Sequence, residues 1–365
     1  MRIINNSTFF CQDFFARVVG EKLFEKRTYL WSFPAPGAVS AHKGYRPMDR
    51  DLSFIIVNWN TKNLLLDCIA SIQETVQGLA YEIIVVDNGS TDGSPEAVRR
   101  RFGQQVTLIE NPENRGFARA NNQALQRVRS TYVVLLNSDT ILLDGAISEL
   151  VQFLEKHPEA ALAGPAMVDA QGTEQNSFDN FPSLATELLN KSLLRLVFPE
   201  KYAGKAPGYE EPFEVDSLIG ACMVVRSTAL QQVGLLDEGY FFFLEETDWC
   251  LRMRRAGWTI YHVPRSRIIH LQGQSKKMRP ARAWVEYYRS LYRFFKKNRS
   301  PLSYGILRVF RFLKLLVNLL LTSAGLCLTL GLRKRFREKV CIYGYLLWWH
   351  VRGCPEHLGL KDARR

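Results

Sequence analysis

The 365-residue chain contains no CxxC pair. Its seven cysteines, at positions 11, 68, 222, 250, 327, 341 and 354, are scattered and odd in number. That usage fits a reducing compartment and argues against a zinc ribbon or a disulfide scaffold. A signal-peptide pattern is also missing: FFCQDFFARVVG is broken by Asp13 and Arg17, and no small-residue cleavage site follows. Nor is there a long clean apolar run. The best, residues 319–330, falls well below the ~18–20 residues of a membrane span. No RNA- or DNA-binding motif is visible. Acidic residues are scarce at one end only. Residues 276–365 hold 21 Lys/Arg and 4 Asp/Glu, a net of 21 − 4 = +17, against +12 for the whole chain, so residues 1–275 carry 12 − 17 = −5. A mildly acidic body thus bears a strongly basic tail, which suggests an anionic surface as partner.

Hydrophobic content of 47% allows a sizeable core. Residues 1–50 show no sustained periodicity, and FPAPGAVSAHKGYRP reads as a linker. From Leu52 onward short Ile/Val-rich runs alternate with helical patterns: LSFIIVN, YEIIVVD, VTLIEN, TYVVLLN and AALAGPAMV read as buried strands. Alternation in units of this kind predicts a doubly wound α/β sheet. Ligands in such sheets sit beyond the carboxyl ends of the strands. The loops there are polar: NWNT (58–61), DNGSTDGS (87–94), NPENRG (111–116) and NSDT (137–140). Any one of them is explained by turn and N-cap chemistry. Four on one sheet edge point to a site. After residue 170 periodicity weakens into a variable insert. VDSLIGACMVVRSTAL then restores order as a strand pair or a strand and helix, and WTIYHVP and SRIIHLQG read as two further strands.

In joint order, the strand ending NWN, then VVDNGSTDGS, NRGFARANN, LLNSDT, GACMVVR, FLEETDWCLRMRRAGW and HLQGQS resemble family 2 glycosyltransferases, nearest their bacterial rhamnosyltransferase-like group. The resemblance covers residues 52–298. It implies the GT-A nucleotide-diphospho-sugar transferase fold, a Rossmann-like mixed sheet flanked by helices, and inverting transfer of a sugar to an acceptor hydroxyl. On that resemblance Asp87 would accept from a pyrimidine N3–H, while Asn58, Asn60, Asn114, Gly116, Asn137 and Asp139 would line the nucleotide-sugar pocket. Arg119 reads as a solvated helix arginine. The NSDT loop stands where the family carries its metal-binding acidic motif. With Asn137 in the first acidic position, Asp139 is the one ionised ligand there. His270 resembles the family's histidine ligand, so the metal would be Mn²⁺ or Mg²⁺.

The stretch FFFLEETDWCLRMRRAGW sets three aromatics against Glu245, Glu246 and Asp248. Burying a carboxylate is costly unless it is paired or used. The family pattern is acid–acid–x–acid with the second acid as base, which places that role on Glu246. A helix is predicted from near Glu246 to near Gly257, with its dipole favouring an ionised carboxylate at the first turn. Residues two apart do not share a helix face, so Asp248 and Glu246 serve different ends. Asp248 stands four before Arg252 and either pairs with it or faces the acceptor. Glu245, Gly220 and Trp249 are assigned to the acceptor side, and Cys222 to packing.

The tail after residue 300 carries FLKLLVNLLLTSAGLCLTLGL, flanked by basic residues, and a Trp pair in VCIYGYLLWWHVRG. It reads as two membrane-surface helices, with a single span as the lesser reading. The resulting expectation is three segments: residues 1–50 as an extension, 51–299 as the GT-A domain and 300–365 as a membrane-associating tail. The enzyme would sit peripherally on the cytoplasmic face of the inner membrane. It would move rhamnose from dTDP-rhamnose to a lipid-linked or polysaccharide acceptor, with no nucleic acid as partner. A UDP-hexose donor, a catalytically silent nucleotide- or glycan-binding protein and a basic nucleic-acid binder are the competing readings.

Overall fold

The computed structural model describes residues 50–198, 202, 210–271 and 280–360. The expected extension over 1–50 lies outside these residues except for Arg50. The first half follows the predicted alternation: β1 (Arg50–Asn58), α1 (Lys62–Thr75), β2 (Tyr81–Asp87), α2 (Ser94–Phe102), β3 (Val106–Glu110), α3 (Phe117–Leu125), β4 (Ser130–Asn137), β5 (Thr140–Leu142), α4 (Ala146–Lys156) and β6 (Ala160–Val168). The predicted insert holds β7 (Phe178–Asp179), α5 (Leu184–Leu188), α6 (Lys191–Val197) and β8 (Phe213–Glu214). Then come β9 (Ser217–Leu218), β10 (Cys222–Arg226), α7 (Ser227–Val233), α8 (Glu245–Arg255) and β11 (Thr259–His270). Three long helices close the described chain: α9 (Pro280–Asn298), α10 (Pro301–Leu328) and α11 (Lys334–Val351).

The main sheet runs β3-β2-β1-β4-β10-β6-β11-β5, with β8 paired to β11. Strands β3, β2, β1 and β4 are mutually parallel, and β10 lies antiparallel between β4 and β6. The sheet is therefore mixed. Side chains alternate between its faces, and both faces are covered. Phe54 and Ile56 enter one core with Leu65, Ile69 and Leu150, whereas Ile55 enters the other with Ala120, Met223 and Trp249. This is why the strands read as unbroken apolar runs rather than alternating ones.

The expected strands WTIYHVP and SRIIHLQG form a single strand, β11. Its register against β6 jumps between Val263 and Arg267. The bulge absorbs Pro264, Arg265 and Ser266, and Ser266 Oγ anchors it on the Ala146 carbonyl at 2.8 Å. Proline breaks the ladder without ending the strand.

Residue 299 is not a packing boundary. Helix α9 contributes Val285, Tyr288, Leu291, Tyr292, Phe294 and Phe295 to a third core shared with Leu307 and Leu315 of α10 and Leu346 and Trp349 of α11. Polar contacts bolt this core to α8. Asp248 is fully buried and accepts from Arg252 Nε at 3.1 Å, Lys297 Nζ at 2.8 Å and Asn298 Nδ2 at 3.1 Å. Lys297 also bonds Asp237 at 2.8 Å, and Arg252 donates to the Val233 and Leu235 carbonyls at 2.6 Å each.

Removing one partner of a buried ion pair strands the other charge. Asp248→Ala is expected to lower unfolding free energy by about 3–5 kcal/mol, measured by denaturant titration. A loss within the range of an exposed salt bridge would show that the cluster carries no such load.

Candidate active site

The polar loops meet at one edge because the parallel strands end together. Asn58 is level with Asp87, Asp87 with Glu110, and Val57 with Asn137. The antiparallel β10 begins at the same edge, with Cys222 opposite Leu136, and β11 ends there, with His270 opposite Thr140.

Asn58 and Asp87 are buried and organise the first two loops. Asn58 Nδ2 donates to Asp87 Oδ1 at 2.8 Å, and Ser90 N donates to Asp87 Oδ2 at 2.9 Å. Asp87 thus shapes its own turn through one oxygen and ties it to the end of β1 through the other. Asn60, in a left-handed conformation (φ 55°), accepts from Thr91 N at 2.7 Å and donates its own N–H to Ser90 Oγ. Asn114 accepts from Gly116 N at 2.9 Å and from Asn88 Nδ2 at 2.9 Å. Asn88, a residue sequence reasoning missed, is buried and ties the second loop to the third, also accepting from Arg115 N at 3.0 Å. Nothing distinguishes it in sequence from its turn-forming neighbours.

Gly116 meets a packing demand of the fold. At φ 86°, a Cβ there would lie 2.6 Å from the Phe241 carbonyl oxygen. Phe117 N donates to that same carbonyl at 2.7 Å. The third loop is thereby clamped against the segment preceding the acidic helix. Arg119 pairs with Glu238 on the surface at 3.4 Å.

The NSDT loop faces β10. Asn137 N donates to the Ala221 carbonyl at 2.9 Å, and Thr140 Oγ1 reaches it at 3.4 Å. Between them Asp139 extends a carboxylate whose Oδ1 is 3.3 Å from His270 Nε2. Leu271 N donates to the Asp139 carbonyl, and Gln175 Nε2 to that of His270, both at 2.9 Å. His270 Nδ1 is buried without a hydrogen-bond partner. One carboxylate and one imidazole fit a cation that completes its shell with phosphate oxygens and water. Among the described residues no third His, Cys, Asp or Glu joins them.

Glu246 lies beside Gly220, the residue before Ala221. A Cβ on Gly220 would stand 3.6 Å from Glu246 Cγ. Helix α8 starts at Glu245, and Phe243 and Leu244 before it both adopt positive φ, 74° and 65°. Two consecutive left-handed non-glycine residues store strain where the acids emerge. Of the three acids Glu246 is half-buried, while Glu245 and Asp248 are buried. Burial, and then the neighbouring Glu246 charge, raise the Glu245 carboxyl well above the usual range. The helix dipole is outweighed there by desolvation. Glu245 Oε2 has no hydrogen-bond partner.

Asp248 and Trp249, expected on the acceptor side, are enclosed instead. Asp248 is saturated by the cluster described above, including the predicted Arg252 pair. Trp249 is wholly buried with Nε1 donating to the Gly234 carbonyl at 2.9 Å. Helix periodicity explains both: with Glu246 turned to the edge, positions two and three further on turn inward.

A strained acid-bearing helix start, four polar loops and a carboxylate–imidazole pair thus gather at one edge of a mixed α/β sheet. Residues 53–234 match the sequence model described as glycosyl transferase family 2. The chain is 30% identical over 233 residues to the N-acetylglucosaminyl-diphospho-decaprenol L-rhamnosyltransferase of Mycobacterium tuberculosis, covering 60% of this chain and 75% of that one. It is 25% identical over 192 residues to the rhamnosyltransferase WbbL of Escherichia coli, covering 50% and 71%. Among solved structures, a Pyrobaculum calidifontis mannosyltransferase in complex with GDP-Man and Mn²⁺ superimposes with TM-score 0.49 at 18% identity, covering 87% of this chain and 90% of that one. The chain belongs to glycosyl transferase family 2 and is a glycosyltransferase of glycan biosynthesis, similar to rhamnosyltransferases.

Because Glu245 holds its proton longer when folded than when unfolded, its stabilising contribution is complete below the ordinary glutamate range and is lost as pH rises through its raised folded value. Glu245→Gln removes this dependence. The unfolding midpoint of the variant is expected to match or trail wild type below about pH 4 and to gain on it steadily at higher pH. A constant offset across pH would show that Glu245 ionises normally in the folded chain.

Proposed function

We propose that the chain is an inverting, metal-dependent glycosyltransferase that moves rhamnose from dTDP-rhamnose to a hydroxyl of a lipid-linked or polysaccharide acceptor. It would work peripherally at the cytoplasmic face of the inner membrane, with the 51–299 domain as catalyst and the 300–365 tail as anchor. The observation that carries the reading is what gathers about Gly220–Ala221: the loop bearing Asp139, paired with His270, bonds the Ala221 carbonyl, and half-buried Glu246 stands beside Gly220. The names of the relatives support rhamnose as donor sugar and a lipid diphosphate as acceptor.

In this mechanism Asn60, Asn114 and the 137–140 loop hold the nucleotide-sugar, while Asn58 and Asp87 keep those loops in shape. Glu246 takes the proton of the acceptor hydroxyl as its oxygen bonds to the anomeric carbon. The bond from that carbon to the donor diphosphate breaks on the opposite face, which inverts the centre. Burial and the Glu246 charge raise the Glu245 carboxyl, which disfavours a second negative charge beside ionised Glu246. A divalent cation bound by Asp139 and His270 would offset charge on the diphosphate. The Phe241–Phe243 wall excludes water from the reacting centre.

Donor binding and turnover with dTDP-rhamnose, UDP-hexoses and GDP-mannose, with Mn²⁺ or Mg²⁺, test the reading. Asp139→Ala is expected to abolish metal-dependent donor binding. Glu246→Gln is expected to keep binding and lose turnover by roughly 10²–10⁴-fold. Binding of a UDP-hexose alone would change the donor. Metal-independent binding without turnover in wild type would make the chain a silent nucleotide binder.

A further inference from the structure

The exposed hydrophobic residues are concentrated in a few segments. Among the described residues, every large apolar side chain that stands exposed lies within 189–198, at Trp284, or within 302–351. On α10 they form a stripe along the helix: Leu302, Val309, Leu313, Val317, Leu320 and Leu321, each more than half exposed. The opposite face is occupied, with Leu307 and Leu315 in the third core. A second stripe appears where none was predicted, on α6 and its flanks: Leu189, Leu193 and Leu196 are 50%, 47% and 79% exposed, with only Leu194 turned inward. Helix α5, two residues before α6, is tied to α10 by a buried ion pair between Glu187 and Arg311. The second stripe thus starts one short connection away from a helix fastened to α10.

We propose that α6 and α10 together form a docking face for an anionic lipid bilayer, with α10 lying in the membrane plane rather than crossing it. The proposal deepens the peripheral-membrane reading above by adding a contact from within the catalytic domain and an orientation. Charge selects the occupant. Residues 301–352 hold nine Lys/Arg and a single acid, Glu338. Lys314, Arg333, Lys334, Arg335 and Arg337 stand exposed beside or just beyond the stripe. Trp284 and Trp348 are exposed, and the Arg352 guanidinium lies 5.0 Å from the Trp348 ring centroid, the chemistry of a membrane–water boundary.

Orientation follows from the buried face. By length and composition α10 is able to cross a bilayer. A crossing of about 20 residues over 312–331 would take Lys314 into its end and pull Leu315, with the Leu346 and Trp349 side chains of its core, out of protein and into lipid. Lying flat, the helix inserts the exposed stripe and leaves the ion pair in protein.

Flotation of the full chain with phosphatidylglycerol/phosphatidylethanolamine vesicles, and with phosphatidylcholine vesicles, tests this. Binding is expected to the anionic vesicles and to be reversed by alkaline carbonate. The double variants Leu193→Glu/Leu196→Glu and Val317→Glu/Leu320→Glu are each expected to lose at least about tenfold in partitioning. Circular dichroism and donor hydrolysis, read separately, should match wild type, so failure of the docking face is distinct from failure of the transferase reading. Wild-type partitioning by the α6 variant would remove α6 from the face. Carbonate-resistant insertion would overturn the in-plane orientation. A detergent-free dimer that both variants dissociate would assign the face to a second copy of the chain.

Discussion

The buried carboxylate of Asp248 is the constraint on which the rest of the site depends. A fully desolvated charge must be paired, and here four groups from three parts of the chain converge on it: Arg252 on its own helix, Lys297 and Asn298 at the end of α9, and Tyr240 ahead of α8. Arg252 in turn grips the carbonyls of Val233 and Leu235, and Lys297 reaches Asp237. With the Lys297 and Arg293 bonds outweighing its desolvation, Asp237 is held at about 2, so this lock persists through the whole physiological range. One charge therefore sets the pitch of α8, the path of the 233–240 loop and the seat of the helical tail.

Rigidity there makes the strained start of α8 tolerable. Left-handed Phe243 and Leu244 cost about 1–3 kcal/mol each, which a loosely held loop would relax. Gly116 closes against Phe241 on the other side. The backbone is caught between the third nucleotide loop and the Asp248 cluster, and the outcome is an ordered difference between two adjacent acids. Glu245 is turned into protein, where burial and the Glu246 charge raise its carboxyl, while Glu246 is turned toward the loop edge. Environment alone separates the two, since the side chains are chemically identical.

Much of this was legible in residue order. The Ile/Val runs marked β1 to β4 and β6 because a strand buried on both faces needs no alternation, and the polar loops marked the ligand edge because parallel strands end together. The Asp248–Arg252 pair followed from helix spacing. Less legible were the enclosure of Trp249, the packing duty of Gly116 and the hub role of Asn88. Each depends on a neighbour over 20 residues distant or on which way a loop turns, and turn-forming residues look alike in sequence. The single bulged β11 was hidden for a similar reason: Pro264 signals a break locally, and only the pairing with β6 shows that the strand resumes.

The sequence by itself determined the class of fold, the order of its strands and helices, the chemistry available at the edge and the polarity of charge between body and tail. These are properties of local pattern and composition, written in spacing of two and of three to four residues. Tertiary structure alone decided which acid faces outward, which loops brace one another, and that the tail packs through α9 onto the acidic helix α8 rather than trailing from it. Those outcomes arise from burial, and burial depends on what the rest of the chain brings to each side chain.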